Sequence, residues 1–160
     1  MGLLTIGRVV AVVSLGLLAG IFLGHRTGLH YVLPKLSPSS FVQLAQIMAA
    51  HNARFMPSLA FTALASSILW LAMVRSQWRT AELWLVATSA CGILAIIAIS
   101  RAVNLPRNKQ VMTWSVASPP PNLQQLWAPW ERVHTLRTGL AMGALVLEAV
   151  ALSLKTVAAR

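Results

Sequence analysis

The stretch "NLPRNKQVMTW", residues 104–114, lies between two long apolar runs, and its reading decides what kind of protein this is. It brings together two Asn, an Arg, a Lys and a Trp in a chain that is 57% hydrophobic. It is either an ordinary loop or half of a polar site held against a membrane.

Composition favours the membrane. Only 10% of the 160 residues are charged, against about a quarter in soluble domains. Four stretches, 3–23, 55–74, 83–100 and 133–154, approach or exceed the roughly 20 apolar residues that cross a bilayer core. Backbone polar groups in lipid must be satisfied within their own segment, so these stretches predict helices. The expected fold is all-α: an integral membrane four-helix bundle of up-down topology, forming one domain over residues 1–160. The N-terminal run is longer than a signal-peptide core and carries Arg8 inside it, so it reads as a mature span.

The connections are unequal. A short turn around "RSQWRTAE" joins spans two and three, whereas 24–54 and 101–132 are long. In an up-down bundle both long loops share one face, so their polar residues can meet. Each loop is expected to contain a short interfacial helix. The first follows Ser37-Pro38 and carries Phe41, Leu44, Ala45 and Met48 at helical spacing. The second starts after Pro119–Pro121 with Asn122 as N-cap, and Pro129 is expected in the first turn of span four. Trp70, Trp78 and Trp84 at the turn, with Trp127 and Trp130 before span four, predict two interfacial belts.

The net charge of +10 comes from 13 Lys and Arg against three acids. These cations are scattered at the edges of apolar runs, which sets nucleic acid aside as a partner and favours lipid headgroups. Arg75, Arg79, Lys155 and Arg160 favour a cytoplasmic face for the turn and the termini. Arg26, Lys35, Arg54, Arg101, Arg107, Lys109, Arg132 and Arg137 oppose them, so the preference is slight. A bacterial inner membrane is the expected location. The single Cys91 allows no intramolecular disulfide, and the four His show no metal-ligand spacing. No metal is expected.

The candidate chemistry lies in "WERVHTLR". Trp130, His134 and Arg137 are spaced to share one helix face, and ionisable groups in a span usually face a cavity or a partner. Asn104, Arg107 and Asn108 leave span three on the same side of the membrane, and His25, Arg26 and His30 leave span one there. His51 reads as interfacial. Arg8 and Glu148 lie inside spans one and four toward the termini and are expected to form a structural ion pair, because either charge buried alone is costly.

The pairing of "NLPRNKQVMTW" with "LWAPWERVHTLRT" resembles the Asn-x-Pro-x-Asn and Trp-x-x-x-His-x-x-Arg signature of the anthrone oxygenase-like family of small four-span proteins. "FMPSLAFTAL" and the Gly-rich end of span one with its following loop are similar too. The matched positions are Asn104, Pro106, Asn108, Trp130, His134 and Arg137. The resemblance implies a cofactor-independent oxygenase that turns anthrones into anthraquinones. His134 would then be the base, with Arg137, Asn104 and Asn108 holding the oxyanion. Trp130, Trp127 and Trp114 would stack the flat substrate, with Arg26 and His25 also in the binding site, and an apolar small-molecule substrate would enter from lipid. The competing expectation is an accessory membrane subunit whose polar cluster docks a protein partner or headgroups. The two differ in geometry, since catalysis needs these groups around one cavity and docking needs them splayed outward.

Overall fold

The computed structural model describes residues 2–158, with side chains through Leu154. Arg160 and the Lys155 side chain, used in the orientation argument, lie outside the described residues. Helix α1 (Leu3–Gly24) runs through a π-helical turn (His25–Leu29) into the short α2 (His30–Val32) and a 3-10 turn ending at Lys35. Helix α3 (Pro38–Val74) is followed by α4 (Ala81–Ile99). A second π-helical turn (Ser100–Asn104) joins α4 to α5 (Leu105–Val111), and α6 (Leu123–Ala158) completes the chain. No strand occurs among the described residues.

α1 packs on α3 and α6, and α4 packs on the same two helices, which closes an up-down four-helix bundle. Four helical rods are long and apolar enough to cross a membrane: Leu3–Lys35, Pro38–Gln77, Ala81–Val111 and Leu123–Leu154. The shortest has 31 residues, roughly ten more than a bilayer core requires. Their outer faces carry large exposed apolar side chains such as Val13, Leu17, Phe61, Ile68, Leu94 and Val146, the arrangement expected where lipid is the solvent. Cys91 is exposed as well.

The expected interfacial helices are instead continuous with the bundle. Nothing between Ala49 and Phe55 breaks a helix, so the segment after Ser37 is the first half of α3. Ser37 caps it, accepting the Ser40 N–H at 3.2 Å, with Pro38 at the first helical position, where a missing N–H costs nothing. Asn122 stands at the N-cap position of α6, its carbonyl accepting the Leu126 N–H at 3.1 Å. Pro129 therefore sits well inside α6 rather than in the first turn of a span. Pro106 also lies within helical structure. The preceding π turn bonds Leu105 N–H to Ser100 O, five residues back, and the chain resumes as α5 with Pro106 in its first turn.

The interior is layered. Leu15, Leu18, Phe22, Ala63, Ile93, Ile96, Ala141 and Ala144 fill the centre. Gly92 lies over Ala144 and the Leu140 carbonyl; a Cβ there would sit 3.7 Å from the Ala144 Cβ, so small residues bring α4 and α6 close together. The end with the long connections is closed by Leu33, Phe41, Val42, Ala45, Val111, Leu123, Trp127 and Trp130. Gln46 ties the chain after α5 to this layer, donating from Nε2 to the carbonyls of Val111 (3.1 Å) and Trp114 (2.8 Å). The opposite end holds Ala11, Trp70, Val74, Val86 and Ala151.

This layering corrects the expected belts. Trp78 and Trp84 are exposed beside the turn, and the Arg79 guanidinium lies 4.6 Å over the Trp78 ring, as suits a membrane boundary. Trp70, Trp127 and Trp130 are buried inside the bundle. The expected Arg8–Glu148 pair is also corrected. Arg8 is bound to Glu82, in the first turn of α4, and Trp70 Nε1 donates to the same carboxylate at 2.9 Å. Glu148 lies ten residues before the end of α6, roughly 15 Å along the helix, too deep for a side chain leaving near the start of α1. It accepts from Ser67 (2.6 Å) and Ser89 (3.1 Å) instead.

Removing one partner of a buried ion pair costs about 3–5 kcal/mol because the other charge is left in the interior. Arg8→Met should therefore lower the thermal midpoint in detergent sharply, and the Arg8→Met/Glu82→Gln double variant should lose less than the two single losses combined. Coupling of Arg8 to Glu148 in such a cycle, and not to Glu82, would contradict the pairing described here.

Candidate active site

Residues of both π-helical turns line the same cavity. The first begins with His25 and the second ends with Asn104. A π turn bonds i to i+5 and reorients the side chains that follow. In an α-helix, residues five apart point about 140° away from each other. The wider turn closes His30 N–H onto His25 O and lets both imidazoles reach one carboxylate. His25 Nε2 lies 3.0 Å from Glu131 Oε1, and His30 Nδ1 lies 2.9 Å from Glu131 Oε2. Trp127 Nε1 donates to Glu131 Oε1 at 3.0 Å.

Along α6 three rings form a column. Trp127 stacks on Trp130 with centroids 4.5 Å apart, and Trp130 stacks on His134 at 4.8 Å. Trp130 Nε1 donates to Asn108 Oδ1 at 2.9 Å. His134 is fixed at both nitrogens. Its Nε2 donates to the Phe22 carbonyl at 3.1 Å, because a carbonyl can only accept. Its Nδ1 accepts from Arg137 Nη2 at 3.0 Å, because a guanidinium can only donate. Arg137 Nη1 donates in turn to Ser100 Oγ at 2.9 Å, and its guanidinium lies 4.8 Å over the Phe22 ring.

These groups border one cavity of about 880 Å³, within the roughly 300–1,000 Å³ range of small-molecule sites. His25, Asn104, Asn108, Trp130, His134 and Arg137 line its polar side. Met48, Met56, Met112, Phe22 and Phe61 contribute to the apolar side, and methionine makes such walls adaptable. Exposed Ala53, Pro57 and Phe61 form one rim stripe on α3, and exposed Arg101, Leu105 and Lys109 belong to the other rim. The mouth is thus partly apolar and partly cationic.

Asn104 is the unusual member. It is 3% exposed, lines the cavity, and neither its Nδ2 nor its Oδ1 has a hydrogen-bond partner among the described residues. Burying an amide without partners costs of order 1–3 kcal/mol, and both polar atoms of this one are open to a group entering the cavity. Arg137 Nε is also buried without a hydrogen-bond partner among the described residues.

The expected site residues are placed as follows. Both His134 nitrogens are engaged in this geometry, Nε2 with the Phe22 carbonyl and Nδ1 with the Arg137 guanidinium. His25 has one nitrogen held by Glu131, and no described residue bonds its Nδ1. Trp130 is flanked in the ring column by Trp127 and His134, and Trp127 does not line the cavity, so neither ring is free to sandwich a substrate. Trp114 is half-buried against the end layer, away from the cavity. Arg26 is half-buried, with Nη1 unpartnered among the described residues, and does not line the cavity. His51 is exposed. Among the described residues no group of three or more His, Cys, Asp or Glu is placed to hold a metal ion.

Glu131, Ser100 and Phe22 were not singled out as site residues from the sequence. A usable signal existed for Glu131. It is one of three acids among 13 cations, and an acid so outnumbered in a membrane chain needs a specific partner.

A profile of the anthrone oxygenase family matches residues 45–147, more than half of the chain. The protein belongs to that family. Searches of curated proteins and of solved structures returned no match.

Asn108→Ala should leave the Trp130 indole N–H without its acceptor, at about 1–3 kcal/mol for a buried donor. The measurement is the thermal midpoint in detergent. An unchanged midpoint would mean that this bond does not hold the ring column.

Proposed function

We propose that this protein is a membrane-embedded, cofactor-independent oxygenase that converts an anthrone, or a similar flat apolar C–H acid, to the corresponding quinone. The observation that carries the reading is the cavity itself. It combines apolar walls with an imidazole held by a carboxylate and an unpartnered buried amide.

The chemistry follows from these parts. An anthrone C–H is acidic because its carbanion is an aromatic enolate. His25, oriented by Glu131 through Nε2, keeps a lone pair on Nδ1 and takes the proton there, as a carboxylate-oriented imidazole does in other general-base sites. The negative charge develops on the ring oxygen, where Asn104 Nδ2 and the Arg137 guanidinium are the donors. Preorganised donors in a water-poor site stabilise such charge far better than water does. The enolate is electron-rich enough to reduce dioxygen directly. Addition of oxygen at the same carbon, after electron transfer, gives a peroxide that takes up one proton. Loss of the second C–H proton with cleavage of the O–O bond yields the new carbonyl and hydroxide. The sum is one anthrone and one O₂ giving one anthraquinone and one water.

His134 orients Arg137 in this scheme, and Asn108 holds Trp130. An apolar substrate partitions into lipid, and the exposed stripe of Ala53, Pro57 and Phe61 offers an apolar rim for entry. The competing docking reading needs polar groups that point outward. Burial of His25, Asn104, His134 and Arg137 argues against it.

With 1,8-dihydroxyanthrone in detergent micelles, His25→Ala should lower oxygen uptake about 10²–10⁴-fold, the range for loss of a general base. Asn104→Ala should cost about 10²–10³-fold, as for loss of one oxyanion donor. His134→Gln keeps an Nε2 donor for Phe22 and should cost less than His25→Ala. A loss at His134 equal to or larger than that at His25 would return the base role to His134. Wild-type protein that oxidised no anthrone above the uncatalysed rate would remove the assignment of substrate.

A further inference from the structure

A base buried in a bundle must exchange its proton with water, and the structure contains one chain of groups that leads outward from His25. We propose that Glu131 and His30 form a proton conduit between the cavity base and the aqueous surface. The proposal rests on His25 being the base of the reaction above.

Three observations carry it. One carboxylate bridges two imidazoles through different oxygens, His25 Nε2 to Oε1 at 3.0 Å and His30 Nδ1 to Oε2 at 2.9 Å. Side-chain exposure rises along the series, from 6% at His25 to 15% at Glu131 and 30% at His30. The π turn that places both imidazoles on Glu131 serves no other contact of His30 that the cavity needs: His30 does not line the cavity.

The need is electrostatic. A protonated His25 would lie against His134, ring centroids 4.4 Å apart, with the Arg137 cation bonded to that second ring. Like charges so close in a poorly solvated site oppose one another. The steps balance as follows. The substrate C–H bond breaks, its electron pair stays on the substrate, and the proton goes to His25 Nδ1. The Nε2 proton of His25 passes to Glu131, which becomes a neutral carboxyl group. His30, which at rest donates to Glu131 from Nδ1–H, first exchanges tautomer through solvent so that its proton sits on Nε2. The neutral carboxyl then turns its O–H toward the vacated Nδ1 and donates there as His30 releases the Nε2 proton to water. Run in reverse, the same path returns a proton for the peroxide or hydroxide. Trp127 donates to Glu131 throughout and cannot carry a proton onward.

Anaerobic exchange isolates this path, because without oxygen the enolate can only be reprotonated. Full-length protein in micelles would be mixed with 1,8-dihydroxyanthrone in D₂O, and deuterium entering the acidic C–H position followed by mass spectrometry above the uncatalysed rate. His30→Asn keeps an N–H donor near the Nδ1 position but cannot relay. Its enzymatic exchange should fall by about tenfold or more, within the range of proton-transfer effects. Aerobic oxidation, in which the abstracted proton can be returned internally, should fall less. Added imidazole should restore exchange in His30→Asn and have little effect on wild type. Exchange in His30→Asn equal to wild type, with a loss only in His30→Ala, would make His30 a mere anchor for Glu131 and overturn the conduit. Loss of exchange that imidazole does not restore would overturn it too. Wild type that neither exchanges deuterium nor oxidises the anthrone would overturn the functional reading and the conduit together, a result distinct from failure of the conduit alone.

Discussion

The cavity end of this bundle depends on the Glu131 carboxylate. Three donors from two directions converge on it: His25 and His30 from the extension of α1, and Trp127 from its own helix. In an interior with little water, a carboxylate must be hydrogen-bonded or it is strongly destabilising. Meeting that requirement fixes the orientation of His25 and joins α1 to α6 where the cavity begins. Trp127, held by the same carboxylate, starts the ring column that positions Trp130 and His134. One acid therefore organises both halves of the site.

The other two acids obey the same constraint with different partners. Glu82 takes Arg8 and Trp70 near the turn, and Glu148 takes Ser67 and Ser89 in the interior. Every acid in the chain is thus held by named donors, and none lies on the lipid face. Asn104 stands out against this economy. Its amide is buried and faces the cavity with no described partner, which is the kind of local violation that functional sites tolerate and the rest of a fold does not.

The two π turns are the backbone counterpart of that violation. Each interrupts an otherwise regular helix beside the cavity, with His25 opening the first and Asn104 closing the second. The second also carries the chain past Pro106. The polar stretch at 104–114 is accordingly neither a free loop nor a span end. Through Val111 it continues the third rod and turns its amides inward.

The sequence by itself determined the class of structure. Four apolar runs of near-bilayer length, few charges and a short turn between two long connections suffice for an up-down membrane bundle, because lipid allows little else. It also placed Asn104, Asn108, His134 and Arg137 at one end, since residues that share a helix face stay together in any packing. Tertiary structure alone decided the partners. Helical spacing sets His25 and His30 apart, and only the π turn brings them to one carboxylate. Depth within neighbouring helices, which no single helix encodes, gave Arg8 to Glu82 rather than to Glu148. Whether an imidazole keeps a free lone pair depends on what the adjoining helices present to it. That contact, not the residue type, separates His25 from His134.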